Sequence, residues 1–242
     1  MLHSQDGSRA GLGSYNAKAV GIGSRKELPA AVEKIRTEGE DLIKRTMDVF
    51  GKRNDKVGSR NVRIGELYIA IGTDMINAAD LLAKFIKKGV DEKTAKVGLA
   101  KILCKDLTSR FEELQKTPIT FGHEGGYQYD GFSIYGLVDF FTTMKSAFQD
   151  LNEVAKKLDS ESQLRKYADA VGWVLAFEGM ASAFTGLEIA SKTAHFSVDD
   201  EPETEAERLL IQNMVHYHIN KALAWINFAE GALCIEPPKL ID

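Results

Sequence analysis

The sequence is poor in the residues that build the commonest metal and redox sites. It has only two cysteines, Cys104 and Cys234, and they lie far apart in the chain. A disulfide framework or a zinc site needs more cysteines, or cysteines closer together. We therefore expect two buried thiols that pack as small apolar groups, in the cytoplasm or another reducing intracellular compartment.

Metal-binding histidine motifs are also absent from the sequence. No glutamate is followed by a histidine three residues later, which argues against the paired Glu-x-x-His motif of di-iron helical bundles. The His-Glu-x-x-His pattern of zinc proteases does not occur either. We predict no catalytic residue, no metal and no cofactor, and interpret the protein as non-enzymatic.

The chain lacks both a strong charge of one sign and a long uninterrupted apolar run. Its formal net charge is −4, whereas nucleic-acid binding usually shows as a strong basic patch. The longest apolar stretch, residues 170–190, contains Glu178 and Glu188. Two carboxylates are costly inside a bilayer, so we predict no transmembrane helix. Residues 1–26 have no continuous apolar segment, which argues against a signal peptide.

Proline is scarce, and its positions organise the chain. We place all five prolines where a helix starts or stops: Pro29, Pro118, Pro202, Pro237 and Pro238. Between them, apolar residues recur at spacings of three and four, which indicates helix. The predicted fold class is therefore all-α, with about six helices in an elongated, coiled-coil-like bundle.

The same patterns give approximate boundaries for domains and helices. We predict a flexible, basic, Gly/Ser-rich arm over residues 1–26, one helical bundle domain over 27–234 and an extended tail over 235–242. The predicted helices span about 27–50, 62–88, 91–116, 134–158 and 160–195, and a sixth runs from the acidic loop 199–203 to about 232. Gly89 is predicted to end the second helix and Asp91 to cap the third. Ser160, with Gln163 three residues later, predicts a capping box for the fifth helix.

The fifth helix carries a line of small residues, which we call the small-residue seam. Its members follow a 4,3,4,3,4 spacing: Gly172, Ala176, Gly179, Ala183, Gly186 and Ala190. Glycine inside a helix costs roughly 1 kcal/mol relative to alanine, so three on one face favour close packing against a neighbouring helix.

Three polar residues within apolar helices are candidate buried groups. An unpaired buried carboxylate is costly, so we read Glu178 as a structural ion pair, with Lys221 of the sixth helix as a possible partner, or as an exposed edge. The functional alternative is a general acid or base with a raised pKa. His216 shares a helix face with Gln212 and Asn220. This set is either a solvated stripe or a buried polar ladder that fixes the register of the helix.

Two segments are candidate partner contacts. The stretch 117–132 is rich in glycine and aromatic residues, and we read it as a loop with contact residues Phe121, His123, Tyr127, Tyr129 and Phe132. The N-terminal arm offers Arg9 and Arg25 to an anionic surface, either a membrane or a nucleic acid. A simple connecting role fits the loop equally well, and turn chemistry explains much of the arm.

The function predicted from these patterns is self-assembly. We expect a structural protein that forms a homo-oligomer through helical seams, on a membrane surface in one version of this hypothesis. Joined end to end, the helices would form three long ones, 27–88, 91–158 and 160–233, a layout that looks like a BAR-type membrane-bending dimer. The glycine-rich stretch 122–131 would break the middle helix, so no family is assigned. The alternatives are a coat or nucleocapsid-type filament subunit and an α-helical pore-forming or membrane-inserting protein.

Overall fold

The structure is a computed structural model that describes residues 22–51, 59–117, 119–122, 128–160, 164–199 and 204–234. Within those ranges, side chains are described for residues 29–49, 62–117, 132–157, 172–195 and 204–234. The arm residues 1–21 and the tail 235–242 lie outside the described residues.

Helices make up nearly all of the described chain, which confirms the all-α helical bundle. Their bounds are α1 (Ile22–Gly51), α2 (Ser59–Ile86), α3 (residues 92–116), α4 (Val138–Ser160), α5 (Leu164–Asp199) and α6 (Glu205–Leu233). Helix α3 has three parts: an α-helical start at Glu92–Leu99, a π-helical segment at Ala100–Asp106 and an α-helical end at Leu107–Lys116. Asp91 caps α3 as expected, because its side chain accepts a hydrogen bond from the Thr94 backbone N–H.

Several predicted boundaries were wrong. Helix α1 begins at Ile22, so the predicted arm boundary falls inside it and Pro29 lies within the helix rather than in its first turn. Ser160 ends α4 instead of capping α5. The capping box seen in the described chain belongs to α6, where Thr204 and Glu207 bond to each other's backbone N–H groups. At the end of α2 the residue with left-handed backbone is Lys88, not the adjacent Gly89.

The helices pack in a closed order, meaning that the contacts between them form a complete circuit. Helix α1 contacts α2 and α4, α4 contacts α5, α5 contacts α6, and α3 completes the circuit by contacting both α6 and α2. Helices α1 and α2 lie side by side, with Arg36 of α1 paired to Asp80 of α2. This arrangement overturns the end-to-end layout, because α2 packs back along α1 and α6 packs back along α5.

The predicted apolar stripes form the core. The 3,4 stripe before and within α4 is buried from Ile134 to Ala155, and aromatic rings from three helices meet on it. These rings include Phe111 of α3, Phe141 of α4 and Phe184 of α5, with centroids 5.8–6.2 Å apart. Val49 continues the apolar spacing of Val32, Ile35 and Leu42 on α1 but is exposed, because it lies near the end of the helix.

The segment predicted as a loop, 117–132, contains two short strands, β1 (Ile119–Gly122) and β2 (Gln128–Gly131). They pair antiparallel, with Phe121 opposite Tyr129. β-branched and aromatic residues favour extended backbone, which explains this correction. A 3₁₀ segment, Ser133–Leu137, then leads into α4.

Three helices hold that 3₁₀ segment in place. Ser133 donates from its hydroxyl to the Leu114 carbonyl of α3 at 2.6 Å, and its own carbonyl accepts from the Tyr68 hydroxyl of α2. Ser191 of α5 donates to the Ile134 carbonyl at 2.6 Å. These buried hydrogen bonds fix where α4 begins.

Candidate functional site

The small-residue seam of α5 faces α6. A Cβ added at Gly179 would lie 3.0 Å from the Ala229 Cβ and 3.1 Å from the Trp225 carbonyl oxygen. A Cβ added at Gly186 would lie 3.2 Å from the Ala222 Cβ. All six seam residues are buried: Gly172, Ala176, Gly179, Ala183, Gly186 and Ala190. The seam lets the two backbones approach closely, and it holds one side of α6 against the bundle.

The opposite side of α6 is exposed and largely apolar. We call positions 210, 214, 217, 221, 224 and 228 the outer stripe, which follows a 4,3,4,3,4 spacing. Its members are Leu210, Met214, Tyr217, Lys221, Ala224 and Phe228. Four of these are large apolar or aromatic side chains with exposed fractions of 60% for Leu210, 45% for Met214, 61% for Tyr217 and 42% for Phe228.

Charge is almost absent from the middle of this helix. From residue 209 to residue 229, Lys221 is the only aspartate, glutamate, lysine or arginine. Asn213, Asn220 and Asn227 flank the stripe at seven-residue intervals, and all three are exposed. An exposed helix face normally carries many charges, so this face is unusually poor in charge for its exposure.

The predicted pair between Glu178 and Lys221 was wrong. Glu178 is half exposed, accepts a hydrogen bond from the Asn152 amide and lies 3.7 Å from the Lys156 ammonium. Lys221 lies on the outer stripe of α6 instead. Glu178 lies on the side of α5 that faces α4, whereas Lys221 lies on the exposed side of α6, so the two side chains do not meet.

The buried carboxylate of α5 is Glu188. Lys145 and Lys192 each bond to it, at 2.5 and 2.6 Å. Burial opposes the charge, but the hydrogen bonds from the two lysines outweigh it and lower the pKa of Glu188. This group is a satisfied ion cluster between α4 and α5.

Of the two readings of the polar set on α6, the structure agrees with the solvated stripe and not with the buried ladder. Gln212 and Asn220 are exposed, and His216 is partly buried. Desolvation lowers the pKa of His216, which favours its neutral form. This set is therefore a solvated stripe with one sheltered imidazole.

Two small clefts lie elsewhere on the bundle. One, of about 210 Å³, lies between α4 and α5 and is polar; its walls include Asn152, Lys156, Glu178 and Ser182. The other, of about 190 Å³, is more apolar and lies between the end of α1, the start of α2 and the 3₁₀ segment; its walls include Leu42, Ile64 and Tyr68.

The predicted partner-contact residues are only partly described. Phe132 is half-buried and packs against the core. Phe121 and Tyr129 form a backbone pair in the hairpin, and Arg25 lies on α1. Arg9, His123 and Tyr127 lie outside the described residues.

In the described part of the chain, no three His, Cys, Asp or Glu side chains are placed to hold a metal ion. In the same part, no helix combines the length and apolarity needed to cross a membrane. Comparisons with protein-family models, curated proteins and solved structures gave no match to this chain.

Proposed function

We propose that this protein is a structural subunit that pairs with a second copy of itself through the outer stripe of α6. The observation that carries the proposal is the exposed stripe with four large apolar side chains and one charge. Leaving this surface in water is unfavourable by about 25 cal/mol for each Å² of apolar area. Contact with a second copy removes that cost.

The spacing of the stripe suits another helix as the partner. Alternation of four and three residues is the coiled-coil repeat, which keeps one seam facing a neighbouring helix. From Leu210 to Phe228 the stripe extends roughly 27 Å at 1.5 Å per residue. Because the flanks are asparagines rather than charges, this surface offers little to an oppositely charged partner.

The stripe is also complementary to itself. In an antiparallel pair, Leu210 of one copy meets Phe228 of the other, and Met214 meets Ala224. The remaining pair sets Lys221 against Tyr217, where an ammonium can lie over an aromatic ring. Each contact occurs twice around a two-fold axis, so the pairing closes as a dimer and does not extend into a filament.

Size measurement by sedimentation or light scattering tests the proposal. The wild-type chain should be a dimer, and the double variant Leu210→Glu, Tyr217→Glu should be a monomer with an unchanged helical spectrum. Val97→Glu is the matched control, since Val97 is an exposed apolar residue on α3, away from the stripe. It should remain a dimer.

Two results would count against this function. A wild-type chain that stays monomeric at high concentration would refute the proposed self-association. A dimer that survives the double variant would place the interface elsewhere on the bundle.

A further inference from the structure

The two cysteines come together at the contact between α3 and α6. Cys104 lies in the π-helical segment of α3, and Cys234 follows the last turn of α6. An ion pair crosses this contact, with the Lys105 ammonium 3.7 Å from the Glu230 carboxylate. Lys105 is next to Cys104, and the Cys234 backbone N–H bonds to the Glu230 carbonyl at 3.1 Å. The two cysteines therefore lie on opposite sides of the same interhelical contact, each within about one helical turn of a member of the ion pair.

The two cysteines differ in their exposure to solvent. Cys104 is 1% exposed, whereas Cys234 is exposed. Burial, together with the nearby Glu230 carboxylate and the Cys234 thiol, raises the pKa of Cys104 to about 12. The buried sulfur is thus held as a thiol, and the accessible one is open to reagents from solvent.

We propose that Cys104 and Cys234 form an oxidation-sensitive pair in which a peroxide reacts at Cys234 and Cys104 resolves the product as an intrachain disulfide. An exposed cysteine beside a second, protected thiol is the arrangement that makes oxidation reversible. This proposal is independent of the self-association proposed for α6.

The chemistry balances with hydrogen peroxide as the oxidant. The Cys234 thiolate attacks one peroxide oxygen, the S–O bond forms, the O–O bond breaks, and the departing hydroxide takes a proton to become water. The Cys104 sulfur then attacks the Cys234 sulfenic acid. The S–S bond forms, the S–O bond breaks, and the leaving hydroxide takes the Cys104 proton. Two thiols lose two electrons in total, and the peroxide becomes two waters.

The bond would fasten the end of α6 to the π-helical segment of α3. It would close a large loop, because most of the bundle lies between the two cysteines in the chain. Loop closure of this size restricts the unfolded chain strongly. We therefore expect the oxidised protein to melt several degrees higher than the reduced protein.

The test is peroxide titration of the reduced, full-length protein, followed by intact mass measurement and non-reducing peptide mapping. We expect the loss of two hydrogens, a linked peptide pair containing Cys104 and Cys234, and reversal by dithiothreitol. Cys234→Ser should slow thiol oxidation by at least about tenfold, since only the buried sulfur remains. Cys104→Ala should let Cys234 react but leave it as a sulfenic or sulfinic acid; alanine is used because a polar side chain in this core could impair folding.

Either of two outcomes would overturn the proposal. One is oxidation of Cys234 to a sulfinic acid in the wild-type chain while Cys104 remains a free thiol. The other is disulfide formation only between chains, through Cys234 alone.

Discussion

Gly39 of α1 and Gly72 of α2 meet backbone to backbone. A Cβ at Gly39 would lie 2.8 Å from the Gly72 carbonyl oxygen, and a Cβ at Gly72 would lie 2.7 Å from the Gly39 carbonyl oxygen. Side chains do not approach backbone atoms this closely without displacement. Helices α1 and α2 can therefore cross at this point only because both residues are glycine.

Alanine at either glycine should separate α1 from α2. We expect Gly39→Ala and Gly72→Ala each to lower the free energy of unfolding by about 1–3 kcal/mol, the usual cost of overpacking. Gly231→Ala is the control, because a Cβ there meets no atom within 4 Å. Chemical denaturation of the three variants checks this, and equal stability of Gly39→Ala and Gly231→Ala would contradict the close crossing.

The seam between α5 and α6 predicts a contrast between neighbouring positions. Gly179→Leu should be more damaging than Met180→Leu, because bulk at residue 179 pushes against Ala229 and the Trp225 carbonyl. Met180 is buried among larger side chains, where leucine is a near-isosteric replacement costing less than about 1.5 kcal/mol. Melting temperatures compare the two, and equal values would show that the seam tolerates bulk.

The two carboxylates of α5 should differ in their effect on stability. Glu188→Ala leaves the partly buried Lys145 without its partner, while Lys192 is exposed enough to turn to water, and we expect a loss of about 1–3 kcal/mol. Glu178→Ala removes a half-exposed group and should cost less than about 1 kcal/mol. Urea titrations measure both; a larger loss for the residue 178 variant would reverse the assignment of the buried charge.

Asp74 should make stability depend on pH. Burial raises the pKa of Asp74 to about 6 from its ordinary 3.8, although Arg110, with its Nε 3.6 Å away, favours the charged form. The folded state therefore binds the proton more tightly than the unfolded state. The resulting stabilisation is complete below about pH 3.8 and is lost as the pH rises through about 6.

Asp74→Asn removes this titration. The melting temperature of the asparagine variant, relative to wild type, should rise between pH 4.5 and pH 7.5, equivalent to at most about 3 kcal/mol. Thermal melts across this range measure the difference. A difference between the two proteins that stays constant with pH would contradict the raised pKa.

Repeated patterns were predictable from the sequence, whereas features built from one or two residues were not. The apolar stripes repeat over many turns, so they predicted six helices and most of the core. Gly39 shares its helix with Gly23 and Gly51, and Gly72 shares its helix with Gly65, but these sparse glycines do not show which helix lies opposite. Val49 continued the spacing of α1 but lies beyond the part of the helix that the bundle covers.

The sequence also could not predict which site residues pair with each other across different helices. Sequence spacing could suggest that Glu178 needs a partner, but the rotation of α5 about its own axis decides that Asn152 and Lys156 supply it. Cys104 and Cys234 come together only because α3 contacts α6. The sequence showed that the outer stripe of α6 is apolar. Whether that stripe is exposed depends on which side of α6 packs against the small-residue seam of α5.

The closed order of the helices has a consequence for how the chain folds. The contacts of α1 with α2, α2 with α3, α4 with α5 and α5 with α6 join neighbours in the sequence, so short loops suffice to form them. The contacts of α1 with α4 and of α3 with α6 join distant stretches and carry the larger entropy of loop closure. We therefore expect two local units, α1–α2–α3 and α4–α5–α6, to form early, and their docking on each other to be the slow step of assembly.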